Sequence, residues 1–228
     1  MCHDTGWIET GDEARSVRRC PCVKAREAEE RLNRSGLKEA LERQTFDSFV
    51  TKTETQKKLK ELGQRYIADL LANKESTRRP WLYIGGNPGS GKTHICTAVC
   101  CELLKQGIPV RYMQWVDVSR QLKAAVNDEN FDEWVADFVN VSVLYVDDLL
   151  KTKYTERPTF TDADIKIAFT ILNARYLLNK PTIISSEWDL VNQLLPADEG
   201  VFSRIYERCK EHRMIVARNP ANNFRLTA

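Results

Sequence analysis

Gly86-Asn87-Pro88-Gly89-Ser90-Gly91-Lys92-Thr93, followed at once by His94, decides how the rest of the chain is read. Three glycines let the backbone turn its N–H groups inward around an anion. Lysine at the loop's end supplies charge for terminal phosphates, and the threonine hydroxyl is placed to ligate Mg²⁺. An apolar run, Trp81 to Gly85, precedes the loop, and a helix-forming run, Lys92 to Gln106, follows it and stops at Gly107. That order of strand, loop and helix also sets the positive end of a helix dipole against the same anion. A glycine-rich turn arising by chance is the alternative, and the complete spacing in this context argues against it. The stretch from Gly86 to His94 therefore predicts a phosphate-binding loop for ATP.

Outward from the loop the chain alternates between strand-like and helix-like runs. Strands are expected near Trp81–Gly85, Pro109–Met113, Val141–Val146, Thr182–Ser185 and Arg213–Ala217. Helical stretches are expected near Val118–Val126, Phe131–Val139 and Asp162–Asn179, with further helical segments up to Lys210. Ahead of the first strand, Thr55–Asn73 places Leu59, Leu62, Tyr66, Ile67, Leu70 and Leu71 near a 3.6-residue period, so one face packs on the main domain. Five strands alternating with helices predict an α/β fold with a parallel sheet covered on both faces.

A phosphate loop needs a second acidic site for its metal at the end of another strand. Val143-Leu144-Tyr145-Val146 is an apolar run that ends in Asp147 and Asp148. Asp147 is placed to hold magnesium directly or through water, and Asp148 to orient or deprotonate an attacking water. An aspartate pair that merely caps a turn is the plainer reading. The two motifs together are far more specific than either alone.

Composition sets the outer bounds. A chain of 228 residues, 42% hydrophobic, holds one good core plus a small appendage. With 34 basic against 32 acidic residues the net charge is only +2, so overall charge does not point to nucleic acid. Met1 to Gly11 lacks the apolar core of a secretory signal, and no run approaches the roughly 18 apolar residues of a membrane span, so a cytoplasmic protein without membrane contact is expected. The seven cysteines are then thiols or metal ligands rather than disulfides. Cys96, Cys100 and Cys101 share one predicted helix and are expected to pack as small apolar side chains. Residues 1–22 are turn-rich and carry Cys2, Cys20 and Cys22, and residues 23 to about 43 are charged and helix-forming, interrupted near Ser35-Gly36. The expected division is a partner-binding segment over 1–45 and an ATPase domain over 46–228.

In order, Phe46-Asp47-Ser48-Phe49, the phosphate loop with His94, Val146-Asp147-Asp148-Leu149, Thr182 through Glu187, Ser203-Arg204-Ile205 and Asn223-Phe224-Arg225-Leu226 make a recognisable series. It resembles the replicative-helicase loaders of the DnaC/DnaI type in bacteria and phages, which are AAA+ ATPases. The resemblance covers about residues 46–228. It implies an AAA+ P-loop core, magnesium at Thr93 and Asp147, and catalysis by Lys92 and Asp148. Ser186 or Glu187 matches the sensor position that contacts the γ-phosphate or the attacking water, although the family often has asparagine where Glu187 stands. Arg204 matches the arginine finger offered to a neighbouring subunit, so a homo-oligomer in the ATP state is implied. An exposed helix arginine paired with Glu207 or Glu211 is the ordinary alternative. Phe46 and Phe49 fall beside the adenine side of the cleft, where core packing explains them equally well. Many AAA+ proteins carry glutamate where Asp148 stands, and the shorter carboxylate implies slow or partner-dependent hydrolysis.

Cys20-Pro21-Cys22 with Cys2 resembles the back half of a zinc module found at the N-terminus of some loaders. One cysteine of that pattern lacks a counterpart here, and His3 is an awkward substitute beside Cys2. Free thiols in a degenerate module remain the alternative. From Lys151 to Phe160, Lys151, Lys153 and Arg157 alternate with Tyr154 and Phe160, which suits the phosphates and base faces of single-stranded DNA. A solvated surface loop has the same composition.

The function these features imply is ATP-controlled loading of the replicative DNA helicase onto single-stranded DNA. A transposition-helper ATPase is the nearest alternative. A nucleotide-binding adaptor with little hydrolysis and a P-loop small-molecule kinase, which needs an acceptor pocket and a basic lid, are the others.

Overall fold

A computed structural model of the chain describes residues 7–9, 17–20, 23, 37–41, 43–72, 76, 78–125, 131–151 and 160–227. In chain order the strands are β1 (Trp7–Glu9), β2 (Val17–Arg19), β3 (Leu82–Gly86), β4 (Val110–Gln114), β5 (Val143–Asp147), β6 (Thr182–Ser185) and β7 (Arg213–Val216). β3 to β7 form one parallel sheet in the order β4-β5-β6-β3-β7. Because the strands are parallel, Gln114, Asp147, Ser185, Gly86 and Val216 all emerge at one edge of the sheet. The insertion of β6 between β5 and β3 sets Ser185 between the aspartate pair and the phosphate loop.

Side chains alternate across the sheet, as the two-residue period of a strand requires. Leu82, Ile84, Val143, Tyr145 and Ile183 join one buried cluster with the helices Glu54–Ala72 and Lys92–Lys105. Tyr83, Leu144, Val146 and Ile184 join another, against the helices Trp115–Ala124, Phe131–Asn140, Asp162–Leu177 and Glu199–Cys209. Both faces of the central strands are therefore dry. Cys96 and Cys100 are fully buried and Cys101 nearly so, and burial pushes all three thiols up from their ordinary pKa.

Helix Glu54–Ala72 buries Leu59, Leu62, Tyr66, Ile67 and Leu70 as its period predicts, together with Gln56 and Gly63. Gln56 has a capping role that its sequence spacing from Thr53 announces. Thr53 N–H donates to Gln56 Oε1 (2.9 Å) and Gln56 N–H to Thr53 Oγ1 (3.3 Å), a capping box. Thr161 and Asp164 form a second one at the start of Asp162–Leu177.

Two elements differ from expectation. The antiparallel pair β1–β2, in register Trp7↔Arg19 and Glu9↔Val17, lies in a segment read as turns, because three residues are too few to show a period. The helix expected near Val118 begins at Trp115. The helical segments expected before Lys210 are a π-turn at Leu190–Leu194, a short turn at Leu195–Ala197 and the helix Glu199–Cys209. Pro196 has no N–H to continue the ladder, and Asp198 caps the new helix through Val201 N–H (2.8 Å). Leu37 and Ala40, ahead of the expected boundary at residue 45, already pack into the core with Phe46. No helix among the described residues is long and apolar enough to cross a membrane.

At the far edge of the sheet Arg175 is completely buried. Its Nη1 donates to the carbonyls of Phe138 (2.9 Å), Val139 (3.0 Å) and Val141 (3.0 Å). Its Nη2 reaches those of Pro181 (2.5 Å) and Ser142 (3.4 Å), and its Nε bonds Thr182 Oγ1 (2.9 Å). One guanidinium thus takes up carbonyls in the last turn of helix Phe131–Asn140 and ties them to the starts of β5 and β6. Burial pulls its pKa down to about 9, which leaves it charged at neutral pH. Arg175→Met, similar in length but without donors, is expected to destabilise the fold by about 3 kcal/mol through the carbonyls it orphans. Urea unfolding checks this, and a loss under about 1 kcal/mol would mean that those carbonyls find other donors.

Candidate nucleotide site

The phosphate loop leaves β3 and enters helix Lys92–Lys105 through left-handed glycines, with φ of 70° at Gly89 and 87° at Gly91. Space as well as φ requires them. A Cβ on Gly91 would lie 2.6 Å from Phe49 Cε2, and one on Gly89 would collide with the Asn223 side chain. Lys92 is buried beneath the loop, its Nζ donating to the carbonyls of Gly86 (2.9 Å) and Asn87 (2.7 Å). Burial pulls its ammonium from 10.5 down to about 8, against the opposing pull of Asp148 and Glu187. The lysine stays mostly charged at neutral pH and is poorly solvated, so a phosphate gains from meeting it. Ser90 Oγ, in the same loop, is buried without a hydrogen-bond partner among the described residues.

Across from the loop, Asp147 is 6% exposed. Its Oδ1 accepts from Tyr145 OH (2.7 Å), Ser185 Oγ (2.5 Å) and Thr93 Oγ1 (3.1 Å), and its Oδ2 from Tyr112 OH (2.9 Å). Burial pushes both phenols up, with Asp147 adding to the shift, so they stay protonated donors. Thr93 and Asp147 present their oxygens side by side, a hard-oxygen donor pair that fits magnesium, which keeps most of its other ligands as water or phosphate. The orphaned Ser90 hydroxyl and the buried ammonium fit the phosphates themselves.

Asp148 and Glu187 line the same cavity, of about 490 Å³, and share the ammonium of Lys151. The structure turns Ser186 away, its Oγ donating to the Leu149 carbonyl (2.9 Å) and accepting from Trp188 N–H (3.2 Å). Ser185 takes the inward position instead, bonding Asp147 and accepting from Asp148 N–H (3.1 Å). Ser185 was not among the site residues read from the sequence, which named Ser186 or Glu187, and a one-residue step along a strand reverses the face. Tyr112 and Tyr145 were missed as well; their parity on β4 and β5 was the available clue.

The other end of the cavity is aromatic. Phe49 meets His94 edge to face at 5.0 Å and Phe224 at 5.6 Å, which suits a nucleobase. His94 Nε2 lies 2.8 Å from the Thr45 carbonyl and 3.3 Å from Ser48 Oγ, so the ring is fixed against the segment that carries Phe49. Phe46 is core, packed against Gly63, whereas Phe49 is both core and cavity wall. Phe224 N–H donates to the Gly89 carbonyl (2.9 Å), which closes the C-terminal segment over the loop.

Arg204 lies on helix Glu199–Cys209, apart from this cavity. Its guanidinium sits over Phe169 (5.2 Å) and Tyr176 (5.8 Å) and donates to the Gly200 carbonyl. Glu207, the ordinary partner considered for it, bonds Tyr176 OH (2.7 Å) and Arg78 (3.4 Å) instead. Of the stretch expected to meet DNA, Lys153, Tyr154 and Arg157 lie outside the described residues. Lys151 is committed to the carboxylates, and Phe160 packs on Trp188 (6.1 Å) and Phe202 (6.4 Å). Cys2, His3 and Cys22 also lie outside the described residues. Cys20 is buried, and no cluster of three His, Cys, Asp or Glu side chains fit for a metal occurs among the described residues.

Comparison with known proteins agrees with this geometry. The family model of the IstB-like ATP binding protein matches residues 17–227. The chain is 32% identical over 202 residues to the uncharacterized protein YqaM of Bacillus subtilis, covering 87% of this chain and 63% of that one. It is 26% identical over 120 residues to the replicative helicase loader DnaC of Escherichia coli, covering 52% and 47%. The chain thus spans less than two thirds of YqaM and about half of DnaC. Among solved structures, the crystal structure of the DnaC helicase loader superposes with a TM-score of 0.59 at 23% identity, over 77% of this chain and 97% of that one, a likeness of fold. The family model's match over residues 17–227, nearly the whole chain, makes the chain a member of the IstB-like ATP binding protein family, and its core shares the fold of the DnaC helicase loader.

Proposed function

We propose that the chain is an ATP-hydrolysing loader that delivers the replicative DNA helicase to single-stranded DNA during the initiation of replication. The observation that carries the nucleotide part is the contact between Thr93 and Asp147 (3.1 Å) beside a buried Lys92. The loader part is supported by the similarity to DnaC of E. coli.

In this reading the triphosphate lies along the loop and the base rests by Phe49 and Phe224. Lys92 exchanges two carbonyls for phosphate oxygens. Thr93 and Asp147 would hold magnesium, which would supply positive charge against the phosphates. Asp148 orients a water and accepts its proton as the water oxygen bonds to the γ-phosphorus. The bond from that phosphorus to the bridging oxygen breaks, giving ADP and phosphate. Arg204, stacked on its own subunit's aromatics, reaches the site of a neighbouring copy and steadies the charge of the transferring group. Residues 1–45 bind the helicase, the AAA+ domain over 46–228 engages single-stranded DNA, and the protein works in the cytoplasm.

Lys92→Ala is expected to weaken ATP binding at least about tenfold, from the loss of a charge-assisted contact, with little change in fold. Titration with a fluorescent ATP analogue reads the affinity and circular dichroism the fold; undiminished binding by folded protein would defeat the assignment. Arg204→Ala is expected to bind ATP nearly normally and to hydrolyse it about 10³-fold more slowly. Mixing the two variants pairs an intact loop with an intact Arg204 across an interface, so turnover should recover in part. Full activity of Arg204→Ala in monomeric protein would rule out a shared site. Co-purification with the host replicative helicase, with and without ATP, tests the loader role itself: an ATP-sensitive complex is expected, and recovery of a transposase in its place would move the assignment to the transposition-helper reading.

A further inference from the structure

Asp148 and Leu150 hold φ of 55° and 57°, two side-chain-bearing residues in the left-handed region within one turn. That region favours glycine, so the turn persists only because its surroundings hold it. Lys151 N–H donates to the Asp148 carbonyl (3.0 Å), which closes the turn and folds the lysine back over the aspartate. Its Nζ then lies 2.7 Å from Asp148 Oδ2 and 3.1 Å from Glu187 Oε1. A single ammonium spans two carboxylates at the mouth of the nucleotide cavity.

The consequence for hydrolysis is direct. A carboxylate that takes a proton from water must be free to turn toward that water, and here Oδ2 is pinned by an ammonium. We propose that Lys151 is a clamp on Asp148, holding the carboxylate in a charge pair that must loosen before it can turn to the water, so that Lys151 sets the basal rate of the enzyme. This rests on reading Asp148 as the group that orients water. Lys151 is a positioning residue in this scheme, since it acts through Asp148. The rival role, a second cation for the γ-phosphate, is disfavoured by the geometry: Lys92 already supplies a charge under the loop, and Lys151 is held by two acids. The clamp also has somewhere to go. Lys151 borders a second cavity of about 310 Å³ with Trp115, Ser119, Lys123 and Asp164, and its side chain is 39% exposed, so it can withdraw without disturbing the core.

The test compares the full chain with Lys151→Met, Lys151→Gln and Lys151→Arg at one protein concentration, measuring kcat and KM for Mg-ATP and binding of a fluorescent ATP analogue. Two partly exposed ion pairs acting together predict a rise in kcat of about five- to tenfold for Lys151→Met, with KM changed by less than about twofold. Lys151→Gln guards against a fault peculiar to methionine and should behave alike, whereas Lys151→Arg, which keeps the charge pair, should fall back toward the parent. Raising salt from about 50 to 300 mM should increase kcat of the parent and leave Lys151→Met flat, because screening opens only a pair that exists. A lower or unchanged kcat in both neutral variants overturns the clamp, and a lower kcat with a raised KM assigns Lys151 to the phosphate instead. Absence of turnover in parent and variants that still bind the analogue would remove the hydrolytic reading of Asp148, and the clamp with it. Absence of binding in the parent would strike the nucleotide site as a whole.

Discussion

The carboxylate of Asp147 is where the chain's separate pieces are fastened. Hydroxyls from β4 (Tyr112), β5 (Tyr145), β6 (Ser185) and the loop helix (Thr93) all donate to it. Taking a carboxylate out of water costs several kcal/mol, and only a full set of donors offsets that cost. Four donors on two oxygens meet the demand with neutral groups. A cation is therefore free to approach without displacing a salt-bridge partner. The same set aligns three strand ends to within a hydrogen bond, so the phosphate loop and the aspartate pair keep a fixed relation although more than fifty residues separate them.

Around that anchor the nucleotide cavity is assembled from distant parts. Phe49 stands ahead of β3, His94 on the loop helix and Phe224 after β7. Their ring contacts make one wall, while Lys92, Asp148 and Glu187 make the other. The apolar wall needs no precise partner, only shape. The charged wall is specified by hydrogen bonds at every position described.

Much of this arrangement was legible in the sequence. Gly86 to Thr93 states its own geometry, since the positive φ and close approaches at Gly89 and Gly91 exclude other residues. The apolar runs ending in Gly86, Asp147 and Ser185 gave the sheet, and their common end gave the site. What escaped notice turns on orientation rather than type. Ser185 and Ser186 look alike in sequence, and only the register of β6 against β3, Ile84 opposite Ser185, decides which one faces Asp147. Lys151 and Phe160 fit a nucleic-acid pattern by composition, yet a strained turn takes one inward and an aromatic cluster takes the other. Arg204 was placed by family pattern alone, and the rings of Phe169 and Tyr176 beneath it are contacts that no local spacing encodes.

Arg175 closes the opposite edge of the sheet without a counter-charge. Its partners are carbonyls and one hydroxyl, not a carboxylate. Such a fan has no counter-charge for dissolved ions to compete with, and burial keeps them away in any case. That edge is thus indifferent to the ionic composition of its surroundings, whereas the edge bearing Lys151 is not. The sheet joins a floor shut off from the solution to a rim whose charges face it, so that a change in the medium reaches the nucleotide cavity without loosening what holds the cavity in place.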